Sequence, residues 1–320
     1  MKAVVYSRYG AAEVLQPAEV PTPVPKDNEV LVKVQAASVN SWDWDLVTGK
    51  PLLYRLLFGI FRPRYPIIGS DIAGRVEAVG KDVTQFKPGD EVFGDISGSG
   101  FGAFAEYACA PAKVLALKIP SMTFEQAAAT PQAGVLALQG LRQGQLAAGQ
   151  KVLINGAGGG VGTFAVQMAK VAGAQVTAVD RADKLDLLRS LGAAHVMDYR
   201  REDFTKTAHT YDLILDMVAW HSVADCRRAL NPGGRYVIVG GKVGALIKTA
   251  TLSSWSKPEG KQVGLLVHKP NAKDLHELNL MFRAGTVVPV IDRLYPLSET
   301  AEAVRYLGEG HVRGKVVITL

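Results

Sequence analysis

The sequence predicts an α/β protein with two parts, a compact, mostly β domain with a barrel-like core and a doubly wound parallel-sheet domain. Three observations carry this. Up to about Pro120, short alternating β-like runs such as "EVLVKVQAASVN", "DIAGRVEAVG" and "GDEVFGDI" are broken by Pro and Gly, the punctuation of a small β domain. From Phe124 onward, strand-like and helix-like segments alternate, as parallel sheets require. Between the two textures lies "INGAGGGVGTFAVQMAK", Ile154 to Lys170, with five glycines in seven residues.

In chain order, the N-terminal runs extend through "AFAEYACAP" and are interrupted by one irregular stretch, "VTGKPLLYRLLFGIFRPRYPIIG". The aromatics of that stretch, Tyr54 and Tyr65 among them, read either as core or as pocket lining. "FEQAAATPQAGVLALQGL" has helical composition interrupted at Pro131. "KVLIN" is a short apolar strand, and Phe164, Ala165, Met168 and Ala169 recur at helical intervals after the glycines. Then come strand "QVTAVD", helix "ADKLDLLRSLG", strand "HVMDY", strand "YDLILDMV", helix "HSVADCRRAL" and strand "GRYVIVGG". The last segment holds an amphipathic helix and a closing strand, and patterning alone lets it complete either domain.

The glycine turn has a chemical reading. Ala157, Gly159 and Gly162 align with a GxGxxG fingerprint whose first glycine has become alanine, with Gly156 and Gly158 supplying the lost freedom. In such a turn the first small residue bends the chain, the second admits a pyrophosphate and the third lets helix and strand pack closely. The phosphates then face a helix N-terminus, whose free N–H groups and dipole favour negative charge. An acid is expected ~20 residues on, and Asp180 ends the next strand eighteen residues after Gly162.

Bulk properties narrow the function classes. At 320 residues and 48% hydrophobic content the chain can bury two cores. No apolar run approaches the ~20 residues of a membrane helix, and "MKAVVYSRYG" lacks the apolar core and cleavage site of a signal peptide, which makes the cytoplasm the expected compartment. Cys109 and Cys226 are too few for a disulfide framework or a four-cysteine zinc lobe. The net charge of +6 is dispersed, which suits attraction of an anionic cofactor better than nucleic-acid binding.

Six ordered stretches bear a resemblance: "AASVNSWDW", "PIIGSDIAGRVEAVGKDVTQFKPGDEVFG", "INGAGGGVG", "LGAAHVMDY", "LNPGGRYVIVGG" and "RGKVVITL". Along nearly its whole length the chain resembles the zinc-independent quinone oxidoreductases of the medium-chain dehydrogenase/reductase superfamily. The resemblance implies a GroES-like domain over 1–123 and 287–320, a Rossmann domain over 124–286, an NADPH-filled cleft and a homodimer, with "VGLLVHK" as the dimerising edge. Zinc-dependent relatives place a cysteine where this chain has Asn40, and Gly-His-Glu where it has Gly69, Ser70 and Asp71. An amide and a serine hydroxyl do not replace such ligands, so no metal site is expected.

By resemblance, Asn40 lies beside the nicotinamide and donates to the substrate oxygen; its bland alternative is a turn residue bonded to local backbone. Thr130 falls where relatives place residues near the nicotinamide, or else satisfies the helix break before Pro131. Some relatives carry a tyrosine five residues after the asparagine, where this chain has Asp45, a proton donor if buried and otherwise a solvated carboxylate. Asp71 reads as a loop anchor. The cofactor contacts transferred by position are Gly156, Gly159, Gly160 and Val161 in the turn, Val218, then Val239, Gly240 and Gly241 at a strand end, and Lys315 after Gly314. Asp180 alone favours NADH, whereas Arg181, Lys184 and Tyr199 favour the 2′-phosphate of NADPH, the preferred cofactor, with NADH as the alternative. The activity implied is a metal-free reduction of quinones or α,β-unsaturated carbonyls. Competing readings are an enoyl-thioester reductase, which the missing phenol disfavours, and a protein that binds NADPH without turnover.

Overall fold

The structure is a computed structural model that describes residues 1–241 and 260–320. These form two compact units, Met1–Gln132 with Pro270–Leu320, and Ala133–Lys269.

The first unit is built on a seven-stranded sheet. Its main path runs Ile291–Pro296, Lys315–Thr319, Glu29–Val39, Asp71–Val79, Glu91–Asp95 and Leu115–Leu117, and Tyr107–Pro111 pairs with Glu29–Val39 off that path. Only the pairing of Ile291–Pro296 with Lys315–Thr319 is parallel. The strand Glu29–Val39 is buried along most of both faces and slips register against Asp71–Val79 between Leu31 and Val32 and between Val34 and Ala36. Such bulges bend and twist a long strand, which curves the sheet around a core of Val30, Val32, Ile68, Ile72, Phe104 and Ile318. The C-terminal segment therefore belongs to the β unit: Lys315–Thr319 pairs with Ala36–Val39. Its helix Thr300–Gly308 buries Thr300, Ala303 and Val304 at helical spacing. Gly308 has no room for a side chain, because a Cβ there would meet the Trp44 ring at 2.4 Å.

The second unit is a six-stranded, wholly parallel sheet. In chain order its strands are Lys151–Asn155, Gln175–Asp180, His195–Asp198, Tyr211–Asp216, Leu230–Ile238 and Gln262–Leu265. Numbered in that order they lie 3-2-1-4-5-6 across the sheet. The order reverses between Lys151–Asn155 and Tyr211–Asp216, which is where doubly wound sheets receive ligands at the carboxyl ends of their strands. Among the described residues no helix is long and apolar enough to cross a membrane.

Candidate functional site

In the second unit, the strand Lys151–Asn155 ends in the glycine turn and leads to helix Gly160–Val171. The bend falls on Gly156, at φ +80°, so the role assigned by alignment to Ala157 is taken by its neighbour. Gly162 serves close packing: a Cβ there would lie 2.5 Å from the Ala157 backbone and from the Gly156 carbonyl. Gly158 is pinned differently, with its N–H donating to Asp180 Oδ2 at 2.7 Å. Gly159 caps the helix without a side-chain bond to the first turn, and above it a Cβ would find ordinary space, the nearest atom lying at 3.6 Å.

The strand ends gather the neighbouring residues. Asp180 is buried; its Oδ1 accepts the Arg181 N–H at 2.8 Å and lies 3.5 Å from Lys184 Nζ. Arg181 reaches Asp183 at 3.2 Å, and its Nε is buried without a hydrogen-bond partner. Tyr199 follows His195–Asp198, donates its N–H to the Asp180 carbonyl at 3.2 Å, and packs edge-on against the exposed Trp220 at 5.3 Å. On the other side of the reversal, fully buried Asp216 accepts from Asn155 Nδ2, from the N–H groups of Val218 and Ala219, and from Tyr236 Oη, each at 2.9 Å. That network fixes the turn carrying Val218. The N–H groups of Val239 and Gly240 donate to the Asp216 carbonyl, and a Cβ on Gly241, at φ +127°, would lie 2.6 Å from Val218 O. So the structure brings Val218, Val239, Gly240 and Gly241 together on one side of the reversal, and Gly158, Asp180, Lys184 and Tyr199 on the other.

These residues fit a dinucleotide. The first N–H groups of a twelve-residue helix have no capping side chain, a Cβ on Gly159 would meet no atom nearer than 3.6 Å, and an anion at that point completes the unsatisfied donors. The buried, unpartnered Arg181 Nε is a donor without an acceptor beside the strand that ends in Asp180.

In the first unit, Asn40 is the residue before helix Ser41–Thr48. Its side chain is buried and committed: Nδ2 donates to Asp71 Oδ2 at 3.0 Å and to Ser70 Oγ at 3.3 Å, while Oδ1 accepts from Lys315 Nζ. A lysine on one end of the amide and a carboxylate on the other dictate which atom is oxygen. Lys315 also donates to the Val39 carbonyl at 3.2 Å and lies 3.5 Å from Asp71. Burial pushes the Lys315 amine below its usual value, and Asp71, the nearest charge, opposes this. Lys315, transferred by position as a cofactor contact, thus sits in a buried side-chain cluster.

Asp71 is the hub of that cluster rather than a loop anchor alone. It accepts from Ser38 Oγ at 2.9 Å and from the Gln132 N–H at 3.1 Å as well as from Asn40. Burial raises its carboxyl, with Lys315 pulling the other way. Asp43, fully buried, accepts the N–H of Asn40 at 2.8 Å and of Gly69 at 3.1 Å. Burial outweighs both bonds and pushes its carboxyl up to about 7. Thr130 donates its hydroxyl to the Gln126 carbonyl at 2.8 Å, the local bond expected of a helix break. Asp45 stands apart from the hub, half-buried and hydrogen-bonded to Tyr54; burial pushes it up to about 6, and the phenol holds it lower than burial alone would.

Sequence reasoning missed Asp43, Ser38 and Asp216. Asp43 carried a usable signal, an acid three residues after a helix-capping asparagine, whose carboxylate reaches back to the cap N–H. Among the described residues no group of His, Cys, Asp or Glu side chains is arranged to hold a metal ion.

Comparison with known proteins adds the following. Residues 26–121 match the family described as "Alcohol dehydrogenase GroES-like domain", and residues 191–318 the family described as "Zinc-binding dehydrogenase". The "NADPH-dependent alkenal/one oxidoreductase, chloroplastic" of Arabidopsis thaliana is 36% identical over 99% of this chain and 79% of its own. The "Chloroplast envelope quinone oxidoreductase homolog" of the same plant is 32% identical over 99% and 98%. The solved quinone oxidoreductase from Coxiella burnetii superposes with a TM-score of 0.89 at 31% identity, covering 100% of this chain and 99% of that one.

Proposed function

The chain belongs to the zinc-independent quinone oxidoreductase-like family of the medium-chain dehydrogenase/reductase superfamily, and we propose that it is an NADPH-dependent reductase of quinones or of the activated C=C of α,β-unsaturated carbonyls. The observation that carries this reading is the helix start at Gly159–Gly162, which no side chain caps, at the reversal of a parallel sheet. The relatives named for alkenal/one and quinone oxidoreduction support the substrate class.

The N–H groups of Gly160, Val161 and Gly162 would hold the pyrophosphate. Arg181 and Tyr199 would take the 2′-phosphate, an arrangement supported by Asp180, whose charge is already met by Gly158, Arg181 and Lys184. Such a carboxylate repels a phosphate less than a bare one. Bound NADPH supplies hydride. The chain must then supply a proton, and the proposed source is Asp45 with Tyr54. A carboxyl near 6 keeps a protonated fraction at neutral pH, and the phenol is the nearest equivalent of the one missing at position 45. Asn40 and Lys315 are proposed to position the polar hub around Asp71. A homodimer through the edge strand Gln262–Leu265 and residence in the cytoplasm complete the proposal.

The test is oxidation of NADPH by the purified chain with a panel of quinones, enones and enals, followed by nicotinamide absorbance. Tight NADPH binding with no turnover across the panel would replace this reading with a binding protein, which the commitment of Asn40 to Lys315, Asp71 and Ser70 favours as the second reading. For the proton source, kcat/KM is expected to fall as pH rises through about 6. In Tyr54→Phe the limb moves to higher pH, because the lost hydrogen bond had lowered the carboxyl. A limb that persists in Asp45→Asn assigns the proton elsewhere.

A further inference from the structure

Between Asp45 and Asp71 the chain has no acidic residue and four basic ones, Lys50, Arg55, Arg62 and Arg64. The same stretch turns Leu52, Leu53, Leu56, Leu57, Ile60 and Phe61 to solvent, Phe61 being 95% exposed and Leu56 and Leu57 each 65%. Scattered exposed leucines are ordinary, but six large apolar side chains within ten residues are not.

This segment is built to present them. Tyr54 stacks on Phe58 at 5.9 Å, and Phe58 and Tyr65 pack against Phe101 at 6.1 and 5.4 Å. Arg55 lies over the Tyr9 ring at 4.6 Å and donates to the Gly49 carbonyl, and Tyr9 donates its hydroxyl to the Gly59 carbonyl. The aromatics and Arg55 thus fasten the segment inward and leave its aliphatic side chains outside. Lys50, Arg62 and Arg64 are exposed, and among the described residues none has a carboxylate partner.

We propose that this face docks on the surface of an anionic lipid bilayer. Leu56, Leu57, Ile60 and Phe61 enter the boundary between headgroups and acyl chains, and Lys50, Arg62 and Arg64 meet lipid phosphates, the division of labour of interfacial amphipathic segments. Charge selects this occupant over a second copy of the chain. A two-fold interface would set the same acid-free basic patch against itself, whereas an anionic bilayer complements both its charge and its apolar tip. The docking is peripheral, and it does not depend on the reductase reading.

The test is co-sedimentation of the full chain with vesicles of phosphatidylcholine alone and of phosphatidylcholine with phosphatidylglycerol, at low and high salt. The chain is expected to pellet with the anionic vesicles, to be released by salt, and to stay in solution with the neutral ones. Arg62→Gln with Arg64→Gln lowers the partition about 30-fold, roughly fivefold per basic side chain. Ile60→Ser with Phe61→Ser weakens binding at every salt concentration. Both double variants change exposed side chains, so an unchanged Tm and NADPH titration confirm the fold. Wild-type chain that ignores anionic vesicles at low salt overturns the proposal, as does binding undiminished in both variants. Wild-type self-association that Ile60→Ser with Phe61→Ser abolishes in sedimentation velocity also overturns it and assigns the face to a second copy. NADPH oxidation in vesicle-free solution is a separate readout, so the fate of the reductase reading is distinguishable from that of the docking face.

Discussion

The polar hub of the first unit and the glycine turn of the second both present hydrogen-bonding groups, but they treat them in opposite ways. At Asp71, Asn40 and Lys315, buried donors and acceptors are matched by other atoms of the chain. At Gly160–Gly162 the backbone donors of a helix start are left without a capping side chain. A charge can be buried only where partners meet it, so the hub must be closed to exist. A helix start tolerates open donors because solvent or an anion completes them. Perturbing the hub should therefore change stability first, and perturbing the turn should change what the chain binds.

The sharpest break of that contrast is Lys315→Met. Asp71 would remain buried with its cation removed, and such truncations cost about 3–5 kcal/mol, read by denaturant unfolding. NADPH titration of the folded variant should change little. Stability held with NADPH affinity lost would instead return Lys315 to the cofactor. The next effect belongs to Asp43. Its carboxyl lies near 7 in the native state and at 3.8 in the unfolded reference. Between those values the native state holds a proton that the unfolded chain has lost, so stability falls as pH rises from about 4 to about 7. The contribution of this group is about 4 kcal/mol. Asp43→Asn removes that slope, so the stability of wild type minus variant should fall as pH rises across the window. A difference independent of pH would show that Asp43 is charged throughout.

The same contrast explains which parts were legible in the sequence. The turn could be read because its requirement is the absence of a side chain: Gly162 is glycine where a Cβ would strike backbone. The parallel strands could be read because each is a short apolar run between helices, although their 3-2-1-4-5-6 order is written in no single residue. In the first unit the run at Glu29–Val39 could be read as a strand, but its burial along most of both faces could not, because alternation is the mark of a half-buried strand. Asn40 was legible as a site residue but its environment was not, because Lys315 is 275 positions away and arrives only through pairing of the last strand with Ala36–Val39. Asp45 and Tyr54 meet across the helix end at Gly49, a break that interrupts any periodicity linking them.

On the open side of the comparison, Gly162→Ala is expected to cost about 2–3 kcal/mol, since the new methyl meets backbone that cannot rotate away. It should also weaken both nicotinamide nucleotides by shifting the turn. Unchanged melting and binding would mean that helix and strand pack more loosely there than the distances require.

The smallest effect is the most discriminating. Arg181 carries a buried nitrogen without an acceptor, beside an Asp180 whose oxygens are held by Gly158, Arg181 and Lys184. An adenosine 2′-phosphate would meet that donor, and a 2′-hydroxyl would not need it. Arg181→Ala should therefore raise the Kd for NADPH about tenfold, ~1.4 kcal/mol, and leave that for NADH in place, by fluorescence titration of both. An equal loss for the two nucleotides would make Arg181 a brace for the turn through its backbone neighbour Asp180, and the preference for NADPH would then have to come from Lys184 and Tyr199.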